Sequence, residues 1–193
     1  MNKAVFLDRD GTLNEDPGYL GDPCKLKLFP DVGEALSLLK NKNNFLLIVV
    51  SNQSGVARGL ITEEEVVMVN QEINTKLAEF NVKIDAFYYC PFHPEFNSEK
   101  DCECRKPSPS MILNAAIEHN IDLSSSYIVG DSAADIMAGK NAGIKTVLVK
   151  SGYGKETFSI LQNENNFPSF VAENLNEASK FIINDSCGVS LSD

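Results

Sequence analysis

Apolar residues fall into two alternating rhythms along the chain. Short continuous apolar runs occupy residues 3–7, 45–50, 86–90, 127–130, 145–149 and 169–172. These have the length of strands, and the β-branched run at 45–50 has the character of a strand buried on both faces. Between them apolar positions recur at helical spacing: Val32, Ala35, Leu36 and Leu39 mark a helix over 31–42. Thr62 with Glu65 three residues later forms a capping box opening a helix that runs to residue 80. Further helices are predicted over 108–120, over 133–142 (closed by Gly143), over 156–163 and over 175–183. From residue 185 the periodicity stops, as in a frayed tail.

Strands alternating with helices predict an α/β fold: a doubly wound, mostly parallel sheet with helices on both faces. The 193 residues suit a single domain, placed at 1–184 with a tail at 185–193. The long aperiodic stretches 8–30, 51–61 and 91–107 each follow a predicted strand. They therefore lie at the carboxyl edge, where such sheets bind ligands, and loops of this length in a compact domain are usually functional.

Composition narrows the class of partner. Hydrophobic residues make up 43% and charged residues 23% of the chain, as in a globular protein. With 17 Lys and Arg against 27 Asp and Glu, the formal charge is −10, which argues against nucleic acid or an anionic membrane as partner. No apolar run is long enough for a membrane span, and that at 4–7 is too short for a signal-peptide core. A cytoplasmic monomer is the expectation. Five cysteines (Cys24, Cys90, Cys102, Cys104, Cys187) are an odd number, pointing to reduced thiols and to metal before disulfide.

The candidate chemistry sits at the strand ends. Asp8-Arg9-Asp10-Gly11-Thr12 follows the first strand, and period two places both carboxylates on one face, where they call for a proton or a cation between them. Ser51-Asn52-Gln53-Ser54-Gly55 follows the second and offers hydroxyl, amide and backbone donors suited to a phosphate. Arg105-Lys106-Pro107 precedes a helix with two fixed positive charges. Gly130-Asp131-Ser132-Ala133-Ala134-Asp135 closes another strand. Each alone reads as an ordinary turn or helix cap. Together they gather acids, a hydroxyl and a lysine on one sheet edge, a set suited to phosphoryl transfer with a hard cation such as Mg²⁺.

In this order, Asp8-x-Asp10-Gly11-Thr12, Ser51-Asn52, Lys106-Pro107 and Gly130-Asp131-x-x-x-Asp135 resemble the four motifs of the haloacid dehalogenase (HAD) superfamily of phosphatases. The likeness covers residues 3–150. Its longer blocks, 6–14, 51–59 and 102–107, resemble the heptose bisphosphate phosphatases and their relatives, the histidinol-phosphate phosphatases. The resemblance implies a capless, Mg²⁺-dependent enzyme acting on a small phosphorylated metabolite through an aspartyl-phosphate. It would remove the 7-phosphate of a heptose bisphosphate, in nucleotide-activated heptose synthesis. Histidinol phosphate is the alternative substrate, and a catalytically silent binding module the alternative of another class.

Carried over residue by residue, Asp8 is nucleophile and Mg²⁺ ligand. Asp10 is general acid, then base, and lends Mg²⁺ its carbonyl; Asp131 completes the metal site. Ser51 and Lys106 hold the phosphoryl group, while Asp135 orients the neighbourhood of Asp131. The substrate would be lined by Asp16, Gly18, Tyr19, Ser51, Asn52, Gln53, Ser54, Arg58, Arg105, Lys106 and Ser132. At the last position the family usually carries Lys, so one substrate-side charge is missing here.

Cys90-x-x-His93-x(8)-Cys102-x-Cys104 places three thiols and an imidazole in one loop, 90–107, and predicts a structural Zn²⁺. Free thiols with a surface histidine are the alternative. The family's usual spacing is Cys-x-His, and Phe92 occupies that position here. Cys24 and Cys187 have no such company, and His119 would interact with a helix end.

Overall fold

A computed structural model describes residues 1–188. Six parallel strands form one sheet: β1 (Ala4–Leu7), β2 (Leu46–Asn52), β3 (Ala86–Cys90), β4 (Tyr127–Gly130), β5 (Lys145–Val149) and β6 (Phe170–Ala172). Their order is β3-β2-β1-β4-β5-β6. The chain winds outward from β1 to β3, returns to the centre and winds the other way, so the order reverses between β1 and β4. Ligand crevices form at such a reversal, outside the carboxyl ends of the strands. The register Leu7↔Val129 brings the residues after β1 and β4 side by side.

Six helices cover the sheet: α1 (Val32–Ser37), α2 (Glu63–Leu77), α3 (Ser110–Glu118), α4 (Ala133–Asn141), α5 (Gly154–Asn163) and α6 (Leu175–Ser186). Alternation along β1 divides the core. Val5 and Leu7 pack with Leu36 of α1, Ile73 of α2 and Ile182 of α6. Ala4 and Phe6 pack on the other face with Ile112 of α3 and Ala138 of α4. Each fully buried side chain of this size contributes roughly 1.5–3 kcal/mol of transfer free energy. Helix α2 is the crossover between β2 and β3 and packs into the core through Val69, Ile73 and Leu77.

The capping box forms as expected: Thr62 Oγ1 accepts from Glu65 N, and Glu65 returns to Thr62 N at 2.8 Å. Several element boundaries shift by one or two residues from expectation, and three differences have a structural reason. The helix predicted over 31–42 changes pitch, α1 giving way to a π turn at Leu38–Lys42. Strand β2 continues through Ser51 and Asn52, because their pairing with Tyr89 and Cys90 extends the ladder into polar sequence. The chain does not fray at 185 as expected: α6 continues to Ser186, with Asp185 accepting from Tyr127 Oη and from Lys145 Nζ. Residues 189–193 of that expected tail lie outside the described residues. No described helix is long and apolar enough to cross a membrane.

The cysteine loop departs from the zinc expectation. Cys90 and Cys104 are joined as a disulfide, which consumes two of the four expected ligands and also corrects the expectation of reduced thiols. His93 is engaged elsewhere: its Nδ1 accepts from Glu95 N at 3.2 Å, and its Nε2 lies 3.4 Å from Arg58 Nη2. Cys102 remains a free thiol. Cys90, His93, Cys102 and Cys104 therefore do not assemble as a tetrahedral donor set. Among the described residues, the His, Cys, Asp and Glu donors that do converge are three aspartates at the carboxyl edge.

Candidate active site

Asp8 directly follows β1 and is buried, its backbone N–H bonded to Val129 O at 2.9 Å. Lys106, only 4% exposed, reaches it from the segment before α3. The Lys106 ammonium donates to Asp8 Oδ1 at 2.6 Å, to Val50 O at 2.7 Å and to Asp135 Oδ1 at 2.5 Å, so all three of its hydrogens are placed. Asn52 fixes the Lys106 backbone by a reciprocal pair, Lys106 N to Asn52 Oδ1 at 3.0 Å and Asn52 Nδ2 to Lys106 O at 3.1 Å. Burial alone would lower the lysine pKa, but the Asp135 and Asp8 carboxylates outweigh it and hold the ammonium above its ordinary value.

Asp131 follows β4 beside Asp8. Its Oδ2 accepts from the Tyr153 backbone N–H at 2.8 Å, in the turn after β5. That turn is locked onto the loop after β1: Ser151 Oγ donates to Gly11 O at 2.8 Å. Gly11 (φ +87°) and Gly152 (φ +51°) leave no room for a side chain, since a Cβ on either would stand 2.1 Å from Asp131 Oδ2. Glycine is required twice here, for conformation and for close approach.

Asp8, Asp131 and Asp135 each bring a carboxylate oxygen within 4.8 Å of the others. Burial, and then the neighbouring carboxylates against the single lysine, push the Asp8 carboxyl well above its ordinary range. Burial likewise pushes Asp131 up to about 7. Three buried acids sharing one ammonium are short of positive charge, and hard oxygen donors suit Mg²⁺. The residues present therefore fit a divalent cation. Asp135 is excluded as a ligand by its other commitments: Oδ1 takes the lysine, and Oδ2 accepts from Ser132 N and Ser132 Oγ. Asp8 and Asp131 are the available carboxylates.

Asp10 is built differently. Arg9, 1% exposed, turns back onto it with Nη2 to Asp10 Oδ2 at 2.8 Å and Nε to both oxygens at 3.1 and 3.2 Å. Asn14 Nδ2 and Gln53 Nε2 donate to the same carboxylate at 2.9 and 2.8 Å. Burial would raise the Asp10 pKa, but the Arg9 guanidinium with these donors holds it below the ordinary carboxylate value. Arg9→Met is expected to remove that hold, so Asp10 ionises at higher pH and the acidic limb of kcat against pH moves upward by roughly one to two units. Stability should fall by about 2–4 kcal/mol, less than for a fully buried pair because Asp10 keeps some contact with water. Activity profiles and urea melts check both; an unmoved limb would remove Arg9 from the control of Asp10.

The cavity over these residues has a volume of about 360 Å³ and is lined by Asp8, Asp10, Asp16, Gly18, Tyr19, Ser51, Asn52, Gln53, Ser54, Gly55, Lys106, Asp131, Ser132 and Tyr153. The structure thus brings together most of the residues expected from sequence. Arg58 and Arg105 lie outside the lining: Arg58 pairs with Glu95 at 3.0 Å, and Arg105 Nη1 donates to Phe92 O at 3.3 Å. Ser132 lines the cavity, but its hydroxyl is spent in the cap of α4. Two features escaped the sequence reading. One is the use of Asp135 as partner of Lys106. The other is Tyr153, although two glycines flanking an aromatic residue just after β5 were a visible signal for a turn at the functional edge.

An acid beside a buried lysine, a second acid two residues on, and a third across the strand reversal define a phosphoryl-transfer site. A family model described as HAD-hydrolase-like matches residues 103–178. Over 155 residues the chain is 47% identical to the D-glycero-beta-D-manno-heptose-1,7-bisphosphate 7-phosphatase of Pasteurella multocida, covering 79% of this chain and 84% of that protein. It is 36% identical over 185 residues to the D-glycero-D-manno-heptose-1,7-bisphosphate 7-phosphatase of Chlorobaculum tepidum, covering 91% and 92%. The crystal structure of D,D-heptose 1,7-bisphosphate phosphatase from B. bronchiseptica, complexed with magnesium and phosphate, superimposes with a TM-score of 0.84 at 29% identity, over 95% of this chain and 99% of that one. The chain belongs to the heptose-1,7-bisphosphate 7-phosphatase family of HAD-like hydrolases.

Proposed function

We propose that this protein is a phosphatase that removes the 7-phosphate of D-glycero-D-manno-heptose 1,7-bisphosphate, with Mg²⁺ as its cation. The observation that carries the chemistry is the contact of Lys106 Nζ with Asp8 Oδ1 at 2.6 Å, in a buried pocket that Asp131 shares. The names and closeness of the relatives carry the substrate.

In the reaction, Asp8 attacks phosphorus, the bond to the sugar oxygen breaks and an aspartyl-phosphate forms. Lys106 orients Asp8 and offsets charge on the phosphoryl oxygens, with Ser51 as a further donor. Asp10 gives its proton to the leaving sugar oxygen, then takes one from the water that attacks phosphorus, which restores Asp8 and releases inorganic phosphate. The carboxylate held ionised by Arg9 is set for the second of these steps. For the first it must gain a proton, and the entering phosphate dianion favours this by repelling a charged Asp10. Asp8, the Asp10 carbonyl and Asp131 would hold Mg²⁺, which when bound neutralises charge on the phosphoryl group.

The test is phosphate release from the heptose 1,7-bisphosphate with and without Mg²⁺, beside histidinol phosphate. The expected result is Mg²⁺-dependent turnover abolished by chelator, with a product that keeps its C1 phosphate by ³¹P NMR. Higher kcat/KM on histidinol phosphate would overturn the substrate assignment. Absence of any Mg²⁺-dependent hydrolysis across phosphomonoesters would favour a silent binding module.

A further inference from the structure

The five tyrosines divide into two groups by what their hydroxyls do. Tyr88 donates to Glu118, Tyr89 to Glu63 and Tyr127 to Asp185. Tyr19 and Tyr153 make no hydrogen bond through their hydroxyls among the described residues, and both rings are well exposed, at 45% and 59%. These same two line the cavity over Asp8. Tyrosine is amphipathic, and an exposed ring with an unused hydroxyl at the mouth of a polar pocket is equipped to meet both the C–H faces and the hydroxyls of a sugar.

The side of the cavity formed by the ends of β4 and β5 narrows the assignment. Three residues there contribute to the lining: Asp131, Ser132 and Tyr153. Asp131 belongs to the cation site, and the Ser132 hydroxyl is held by Asp135 at 2.6 Å. Tyr153 is the uncommitted side chain. Its backbone is fixed by the N–H bond to Asp131 and by Gly152 packed against Gly11, so only the side-chain torsions remain to be ordered when a ligand arrives. A pre-placed anchor lowers the entropic cost of contact.

We propose that Tyr153 is a substrate-contacting, specificity-determining residue that holds the sugar portion of the phosphate ester on the β4–β5 side of the cavity, where the Ser132 hydroxyl is already spent. The assignment rests on the sugar-phosphatase reading above. Tyr153 acts on the part of the substrate that does not react, so its side chain governs KM and leaves the chemistry to the cavity floor.

Tyr153→Ala is expected to raise KM for the heptose bisphosphate about five- to tenfold, with kcat within about twofold of wild type. Inhibition by inorganic phosphate in the presence of Mg²⁺ should keep its Ki, because phosphate alone occupies the floor. Tyr153→Phe should fall between wild type and Tyr153→Ala, separating the hydroxyl from the ring. An unchanged KM in Tyr153→Ala overturns the proposal. So does a parallel change in KM, kcat and phosphate Ki, which would mean that Tyr153 acts only through the placement of Asp131. If wild-type protein releases no phosphate from the heptose bisphosphate, the heptose reading has failed; the KM comparison is then made on the best sugar phosphate of a panel, and an unchanged KM there overturns the Tyr153 assignment.

Discussion

Asp8→Asn is expected to reduce kcat by at least about 10⁴-fold, as removal of a covalent nucleophile does elsewhere. The amide is nearly isosteric but does not attack phosphorus to form the aspartyl-phosphate. Fold stability should change little by comparison, because Lys106 keeps Asp135 Oδ1 at 2.5 Å and Val50 O at 2.7 Å as acceptors. Losing the charge at Asp8 also removes one of the carboxylates that repel each other in the pocket, which offsets part of the lost ion pair. Initial-rate assays and thermal melts on one preparation decide the matter. Phosphate release that survives the change would displace Asp8 as nucleophile.

Lys106→Met should fail in a different way. The apolar replacement fills much of the volume but strands Asp8 and Asp135, both buried, without their shared cation. Breaking a buried pair by removal of one partner costs roughly 3–5 kcal/mol, and here one ammonium serves two carboxylates. The direction with pH follows from the groups themselves. The wild-type ammonium is held above its ordinary pKa, so its contribution is fully present below the unfolded value and is lost only as pH rises through the folded one. At neutral pH the whole deficit should therefore show in urea melts. Acid should lessen it, because the Asp8 carboxyl, pushed up by burial, takes a proton and sheds its stranded charge. Activity should be lost as well. A variant as stable as wild type at pH 7 would remove the Lys106 ion pairs from the forces that hold the fold.

How much of this could be read from the chain differs by the range of the contact. Strands β3, β4 and β5 have the predicted limits, because short apolar runs between turns carry their own boundaries. The capping box at Thr62 and Glu65 was likewise legible, both partners lying within one turn. Boundaries slipped where neighbours extend an element: Ser51 and Asn52 are polar, yet pairing with β3 draws them into β2.

In the site, Asp8, Asp10, Lys106 and Asp131 were identifiable as a set because each stands just past a strand or just before a helix. Their mutual wiring was not. Lys106 meets Asp8 across 98 residues of sequence and Asp135 across 29, and nothing local in Arg105-Lys106-Pro107 announces two carboxylate partners. Arg9 illustrates the same gap: nothing local in Asp8-Arg9-Asp10 says which partners it takes, and its burial becomes evident only when Asn70 and Gln53 are seen to close over it. Cysteine spacing was the least informative signal, since three thiols and an imidazole within one loop are compatible with metal or with the Cys90–Cys104 bond that forms.

The contact between Gly11 and Gly152 has a further consequence, for how such an enzyme changes over evolutionary time. With no side chain between them, the loops after β1 and β5 meet backbone to backbone and enclose Asp131, so the floor of the cavity tolerates almost no substitution. Tyr19 and Tyr153 belong to those same stretches, line the cavity and are partly exposed. Selection can therefore redraw the rim one residue at a time, trying new metabolites, while the machinery that breaks the phosphate ester stays as it is.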